Sequence, residues 1–165
     1  MPFEPAITDI EKLKDNPALS RLLAWRSDAV EGAKWDREEF AIVLQRESLR
    51  EACALLRDDP QTQFNFLSDI TCVDWYPSEP RFEVVYSLLS IPRKDRVRIK
   101  VRLAGSDPNV ESLTSLWPGA NFFEREVFDL FGIRFNGHPY LRRIMMPDDW
   151  EGHPLRKDYP VEGYR

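Results

Sequence analysis

Between Arg96 and Leu103 the chain alternates strictly. Val97, Ile99, Val101 and Leu103 fall on one face of an extended segment, and Arg96, Arg98, Lys100 and Arg102 on the other. This predicts a strand with one face on the core and the other toward solvent or a partner. Glu39 to Leu44 reads as a buried strand, and Phe64 to Trp75 and Arg81 to Ser90 as two more, joined by the turn-rich Tyr76-Pro-Ser-Glu-Pro80. Helical spacing appears between them. Ser48-Leu-Arg-Glu51 has the form of a capping box, opening a helix with Leu49, Ala52, Cys53 and Leu56 on one face before Asp58-Asp59-Pro60 stops it. Strands and helices in this order predict an α+β fold, a mixed or antiparallel sheet with helices packed on one side.

The two ends differ from this core. Thr8-Asp-Ile-Glu11 is a second capping box, and Asn16-Pro17 restarts a helix carrying Leu19, Leu22 and Leu23 toward Trp25. Residues 1–37 are therefore expected to form an N-terminal helical segment and 38–133 the α+β core. Asn121-Phe-Phe-Glu124 predicts a third helix start, with Phe123, Val127, Leu130 and Phe131 on one side and Gly132 as the stop. Beyond it, Pro139, Pro147, Pro154 and Pro160 interrupt any helix, while Tyr140, Leu141, Ile144, Met145, Met146, Trp150, Leu155 and Tyr159 keep the segment apolar. Residues 134–165 are too apolar for a disordered linker and too broken for a core of their own. An extended, Pro-rich C-terminal arm laid along a surface, its own or another protein's, resolves this.

Composition narrows the classes. The 165 residues are 42% hydrophobic and 12% aromatic, enough for one core, and no stretch nears the roughly 20 apolar residues of a membrane span. The acidic start, Met1-Pro-Phe-Glu-Pro-Ala-Ile-Thr-Asp9, lacks the features of a signal or transit peptide, so the chain is expected to stay where it is made. Net charge is −5, which does not favour attraction to nucleic acid or anionic lipid. Cys53 and Cys72 lack the paired spacing of zinc or iron–sulfur ligands, and no Gly-x-Gly-x-x-Gly, Walker loop or Gly-x-Ser-x-Gly elbow occurs.

Three groups of residues carry possible chemistry. Glu124, Glu126 and Asp129 share a short helix with Arg125, where an acid and base pair competes with the simpler reading of first-turn acids and an Arg125–Asp129 ion pair. His138 and His153 each lie in Gly-His-Pro; metal binding with Asp148 or Asp149 competes with a role as turn residues. The stripe Arg93, Lys94, Arg96, Arg98, Lys100 and Arg102 suits phosphates, or equally discourages wrong pairing at a sheet edge. The simpler reading is adequate in each case. No catalytic, cofactor-binding or metal-binding residue is assigned.

One resemblance goes further. Glu124-Arg-Glu-Val-Phe-Asp-Leu-Phe-Gly-Ile133, Gly137-His-Pro139, Leu141-Arg-Arg-Ile144 and Pro147-Asp-Asp-Trp-Glu-Gly-His-Pro-Leu-Arg-Lys-Asp-Tyr-Pro160 closely resemble the thirty-kilodalton, or C-type, subunit family of respiratory complex I. Phe66-Leu-Ser-Asp-Ile70 and Arg81-Phe-Glu-Val-Val-Tyr86 are similar to the same family's core. The resemblance implies a subunit without a redox centre, packed on the D-type subunit that helps form the quinone cavity and on its neighbours in the quinone-reducing module. FMN, iron–sulfur clusters and quinone would belong to partner subunits, and nucleic acid is not an expected partner. It implies a peripheral position on the cytoplasmic face of a bacterial inner membrane. Carried over by position, the interface residues are Glu124, Arg125, Glu126 and Asp129, then Arg142, Arg143, Asp148, Asp149, Trp150, His153, Arg156, Lys157, Asp158 and Tyr159. Ferredoxin-linked complexes and energy-converting hydrogenases use similar subunits, so the electron donor stays open.

Overall fold

The structure, a computed structural model, describes residues 5–162. The outermost parts of the expected N-terminal segment (1–4) and of the expected arm (163–165) lie outside the described residues. The centre is a five-stranded sheet built from β1 (Val30–Asp36), β2 (Glu39–Leu44), β3 (Phe66–Asp74), β4 (Phe82–Ser90) and β5 (Asp95–Leu103), in the order β1-β2-β5-β4-β3. β2 and β5 run parallel and the other neighbours antiparallel, as the mixed α+β reading requires. The parallel pair needs a crossover between its strands. The chain from β2 to β5 supplies one that includes α3 (Leu49–Asp58) and the β3–β4 hairpin.

Alternation decides which face is buried. Ile42, Leu44, Val84, Tyr86, Val97, Ile99 and Val101 join one core with Leu19 and Leu22 of α2 (Pro17–Arg26), the Leu49, Ala52, Cys53 and Leu56 face of α3, and Val127 and Phe131 of α4 (Ala120–Phe131). The opposite face carries the charges. β5 is the central strand, so its basic stripe does not guard an edge; acids on the neighbouring strands pair with part of it sideways. Arg98 donates to both oxygens of Glu39 at 2.5 and 2.7 Å, and Lys100 to Glu83 at 2.8 Å, with Arg102 at 3.7 Å from the same carboxylate.

Several starts and stops differ from expectation for local reasons. In α1 (Ile10–Leu13) it is Asp9, one residue after Thr8, that caps, accepting from the Glu11 amide, whereas Asn16 caps α2 as expected. Ser48 closes a short 3-10 turn in a helical conformation, so its hydroxyl is buried and the predicted box does not form. α4 begins at Ala120, which places Asn121 inside it and turns Glu124 into the protein. The segment expected to be helical over 1–37 also contributes β1, whose Val-Glu-Gly-Ala-Lys-Trp-Asp sequence has no apolar alternation because it is an edge strand. Two three-residue strands that no sequence pattern predicts, β6 (Asn109–Glu111) and β7 (Arg134–Asn136), pair in parallel beside α4.

After β7 the described chain has no further helix or strand, and it lies back on its own α4 and on the β3–β4 end of the sheet. Gly132 makes that return possible. It caps α4 with φ +76°, and a Cβ there would meet Arg156 Nη2 at 2.5 Å and His153 Cδ2 at 2.6 Å, both on the arm. Gly132→Ala is therefore expected to cost about 1–3 kcal/mol in chemical denaturation. Gly119→Ala, with open space at its Cβ and an ordinary helical φ, should change stability by less than about 1 kcal/mol.

Candidate functional site

α4 meets the arm through Asp129. Its Oδ2 accepts the consecutive amides of Ile144, Met145 and Met146 at 2.9, 2.7 and 2.9 Å, and its Oδ1 accepts Arg143 Nη1 at 2.6 Å. Burial raises the Asp129 pKa, but these amides and the guanidinium outweigh it and hold the carboxyl below the usual aspartate range. Its carbonyl is used as well, accepting from Arg143 Nη1 at 3.2 Å and His153 Nδ1 at 2.8 Å. Arg143 reaches on to the Gly152 carbonyl at 3.0 Å, and Arg125 donates to the carbonyls of Arg142 and Arg143 at 3.2 Å. The expected Arg125–Asp129 pair is thus replaced. Both side chains bind the arm instead of each other.

A second clamp, in which Asp74 and Arg81 join the expected Lys157 and Asp158, holds the far end of the arm. Asp74 accepts Arg81 Nε at 2.9 Å and Nη2 at 2.8 Å, the Tyr76 amide at 3.0 Å and the Lys157 amide at 2.9 Å. Arg81 also donates to both oxygens of Asp158 at 2.9 and 2.6 Å, so one guanidinium joins the sheet to the arm. Burial works against the charge, but the Arg81 and amide hydrogen bonds leave the Asp74 pKa lowered to about 2. Between the clamps, the Leu155 amide donates to the Leu130 carbonyl at 3.0 Å and Arg156 Nε to the Phe131 carbonyl at 2.6 Å. The sequence offers one signal for this clamp, an acid and a base flanking a single hairpin turn, where the Trp75 amide bonds to the Arg81 carbonyl at 2.7 Å.

Glu124 is wholly buried. It accepts Ser112 Oγ and the Leu113 amide, both at 2.6 Å, tying α4 to the chain leaving β6. Glu124 and Asp129 have no exposed surface in the single chain, and α4 has no acid in its first turn, which removes the first-turn-acid reading of Glu124. Burial lifts the Glu124 pKa to about 7 against the pull of those two hydrogen bonds.

The remaining positions divide between anchoring and exposure. Arg143, His153 and Arg156 are half-buried anchors, whereas Glu126, Arg142, Asp148, Asp149, Lys157 and Asp158 are exposed. Arg142 stacks 4.4 Å from the Tyr140 ring. Trp150 is 39% exposed and lines an open concavity of about 860 Å³ with Arg156, Lys157 and Tyr159. The histidines serve backbone contacts: His138 Nδ1 accepts the Tyr140 amide at 3.0 Å, and its Nε2 faces the Asn121 carbonyl at 3.2 Å. Burial lowers the pKa of both His138 and His153. Among the described residues no group of three or more His, Cys, Asp or Glu side chains is placed to hold a metal ion. Cys53 and Cys72 are buried free thiols, each pushed up to about 12 by burial. Also among those residues, no helix is long and apolar enough to cross a membrane.

Residues 42–165 match the family described as the 30 Kd subunit of the respiratory-chain NADH dehydrogenase. The chain belongs to this family. Its relatives include the C-type subunit of the NADH-quinone oxidoreductase of Roseiflexus sp. (strain RS-1), 49% identical over 149 residues that cover 90% of this chain and 86% of the relative. The corresponding subunit of Citrifermentans bemidjiense is 45% identical, covering 91% and 92%. Among solved structures, a trypsin-resistant fragment of Nqo5 aligns with TM-score 0.65 and 37% identity over 75% of this chain and 99% of the fragment. A chain of the membrane-bound sulfane sulfur reductase, an archaeal respiratory membrane complex, shares the fold at TM-score 0.72 and 24% identity, over 90% and 86% of the two chains.

This member of the thirty-kilodalton family turns several charges of its C-terminal motif inward, and Glu124 gives the sharpest test of that burial. Because its folded-state pKa lies above the ordinary 4.5, its neutral form stabilises the fold at low pH, and that stability is lost as pH rises through about 7. Wild type should lose on the order of 3 kcal/mol relative to Glu124→Gln between about pH 4.5 and 8, measured by denaturant titration. Parallel profiles for the two proteins would contradict the burial.

Proposed function

We propose that the chain is a non-redox scaffold subunit of the peripheral arm of a proton-translocating NADH:quinone oxidoreductase. It docks on the D-type subunit and neighbouring subunits of the quinone-reducing module, at the cytoplasmic face of a bacterial inner membrane, and supports electron transfer from NADH to quinone without carrying electrons. FMN, iron–sulfur clusters and quinone are bound by partner subunits. Membership of the family, and relatives named as subunits of this oxidoreductase, support the assembly.

One observation carries the docking reading. The arm's polar groups are largely satisfied by the chain's own α4 and β3–β4 end, while Ile144, Met145, Trp150 and Leu155 remain 39–61% exposed along it. Apolar side chains on a backbone that is already anchored are suited to binding, because little ordering entropy remains to be lost. In this reading Trp150 and Tyr159 are anchors at the concavity. Glu126, Arg142, Asp148, Asp149, Lys157 and Asp158 form a charged rim that sets register. Arg125, Asp129, Arg143, His153 and Arg156 act through the arm by holding its shape, and Glu124 by fixing α4 beneath it.

The fold shared with an archaeal respiratory membrane complex favours a second reading, in which the chain fills the equivalent place in a ferredoxin-linked complex or energy-converting hydrogenase. Affinity capture of the tagged chain from detergent-solubilised native membranes separates the two. A co-purifying flavin and iron–sulfur assembly that reduces quinone with NADH supports the first; an assembly inert to NADH overturns it. Within that assembly Trp150→Ala should weaken association by more than about 2 kcal/mol, and a loss below about 0.5 kcal/mol would remove Trp150 as an anchor.

A further inference from the structure

The tip of the β3–β4 hairpin carries two adjacent exposed aromatics, Trp75 at 49% and Tyr76 at 48%. Neither belongs to the C-terminal motif. Adjacent aromatic rings on a fixed loop offer large contact area to a partner at low ordering cost. This loop is fixed. The Tyr76 amide is held by Asp74 at 3.0 Å, the Ser78 amide by the Trp75 carbonyl at 2.8 Å, and the Arg81 guanidinium lies 4.9 Å from the Tyr76 ring. On its other side Glu79 accepts the Arg81 amide at 3.0 Å and the Gly105 amide at 3.0 and 3.2 Å, pinning the turn to the segment that follows β5.

The same residues that fix the tip hold the arm. Asp74 accepts the Lys157 amide, and Arg81 spans from Asp74 to Asp158, so the aromatic tip and the concavity beside Trp150 and Tyr159 are joined through one ion-pair network. The network determines what can bind. Asp74 is buried, and the Arg81 cation beside the Tyr76 ring is fully paired with the Asp74 and Asp158 carboxylates. A surface that fits the two rings is apolar at its centre, with the exposed Glu79 and Arg102 at its margin.

We propose that Trp75 and Tyr76 form a second anchor of the docking surface, occupied by an apolar patch of the same protein subunit that receives the arm. This rests on the docking reading above and extends it to a hairpin outside the family's C-terminal motif. Trp75 supplies area from a rigid loop. Tyr76 is positioned by the Arg81 stack.

The test is binding of the full chain to its cognate D-type subunit, by titration calorimetry, for wild type, Trp75→Ala, Trp150→Ala and Phe66→Ala. Phe66 is 47% exposed at the opposite end of β3 and serves as the control. Trp75→Ala should weaken binding at least about tenfold with an unchanged melting temperature, and Phe66→Ala less than about twofold. Weakening by Trp150→Ala with Trp75→Ala within about twofold of wild type overturns this proposal and leaves the docking reading standing. Absence of wild-type binding overturns both. Sedimentation of the free chain adds one further arm: a dimer that Trp75→Ala dissociates would assign the tip to a second copy of this chain and overturn the proposal.

Discussion

The Asp129 carboxylate accepts three consecutive amides of the arm and the Arg143 guanidinium, all within 2.6–2.9 Å, from inside the chain's own surface. A Pro-broken segment has little repetitive hydrogen bonding of its own, so its shape must come from outside. Asp129 supplies that shape near the start of the arm. Asp74 and Arg81 supply it near the end, and Gly132 provides the left-handed turn that lets helix and arm lie close. Removing either carboxylate would leave several part-buried donors of the arm and hairpin without their common acceptor.

This anchoring explains how one segment can be both apolar and ordered. The side chains that would build a core, Ile144, Met145, Trp150 and Leu155, face outward because the backbone between them is already held. The sheet does the opposite. Its exposed face is charged and partly matched through Glu39–Arg98 and Glu83–Lys100, so the basic stripe of β5 is partly compensated within the chain. Glu83, buried among the strands, is one acid shared by two cations, Lys100 and Arg102.

Much of this is legible in the residues alone. Strict alternation at Val97–Leu103 and the one-face spacing of Leu49, Ala52, Cys53 and Leu56 specify their elements because burial enforces a period. Asn16-Pro17 and Gly132 mark helix ends because their backbone preferences are local. What is not legible depends on distant partners. β1 is an edge strand with no apolar period, and β6 and β7 are three residues each, too short to show one. Glu124 looks like part of a cap because Asn121 precedes it by three; only the approach of Ser112 and Leu113 turns it inward. Likewise Asp74 meets Lys157 across 83 positions of sequence, a contact no local pattern encodes.

The most direct measurement is hydrogen exchange in the isolated full-length chain. If the arm is held by its own core before any partner arrives, the amides of Ile144, Met145, Met146 and Lys157 are protected in wild type. Asp129→Ala then releases the first three while the β4–β5 amides stay protected. Exchange of those three amides at unprotected-coil rates in the wild-type chain would contradict the account, because the arm would then gain its shape from the partner and not from Asp129.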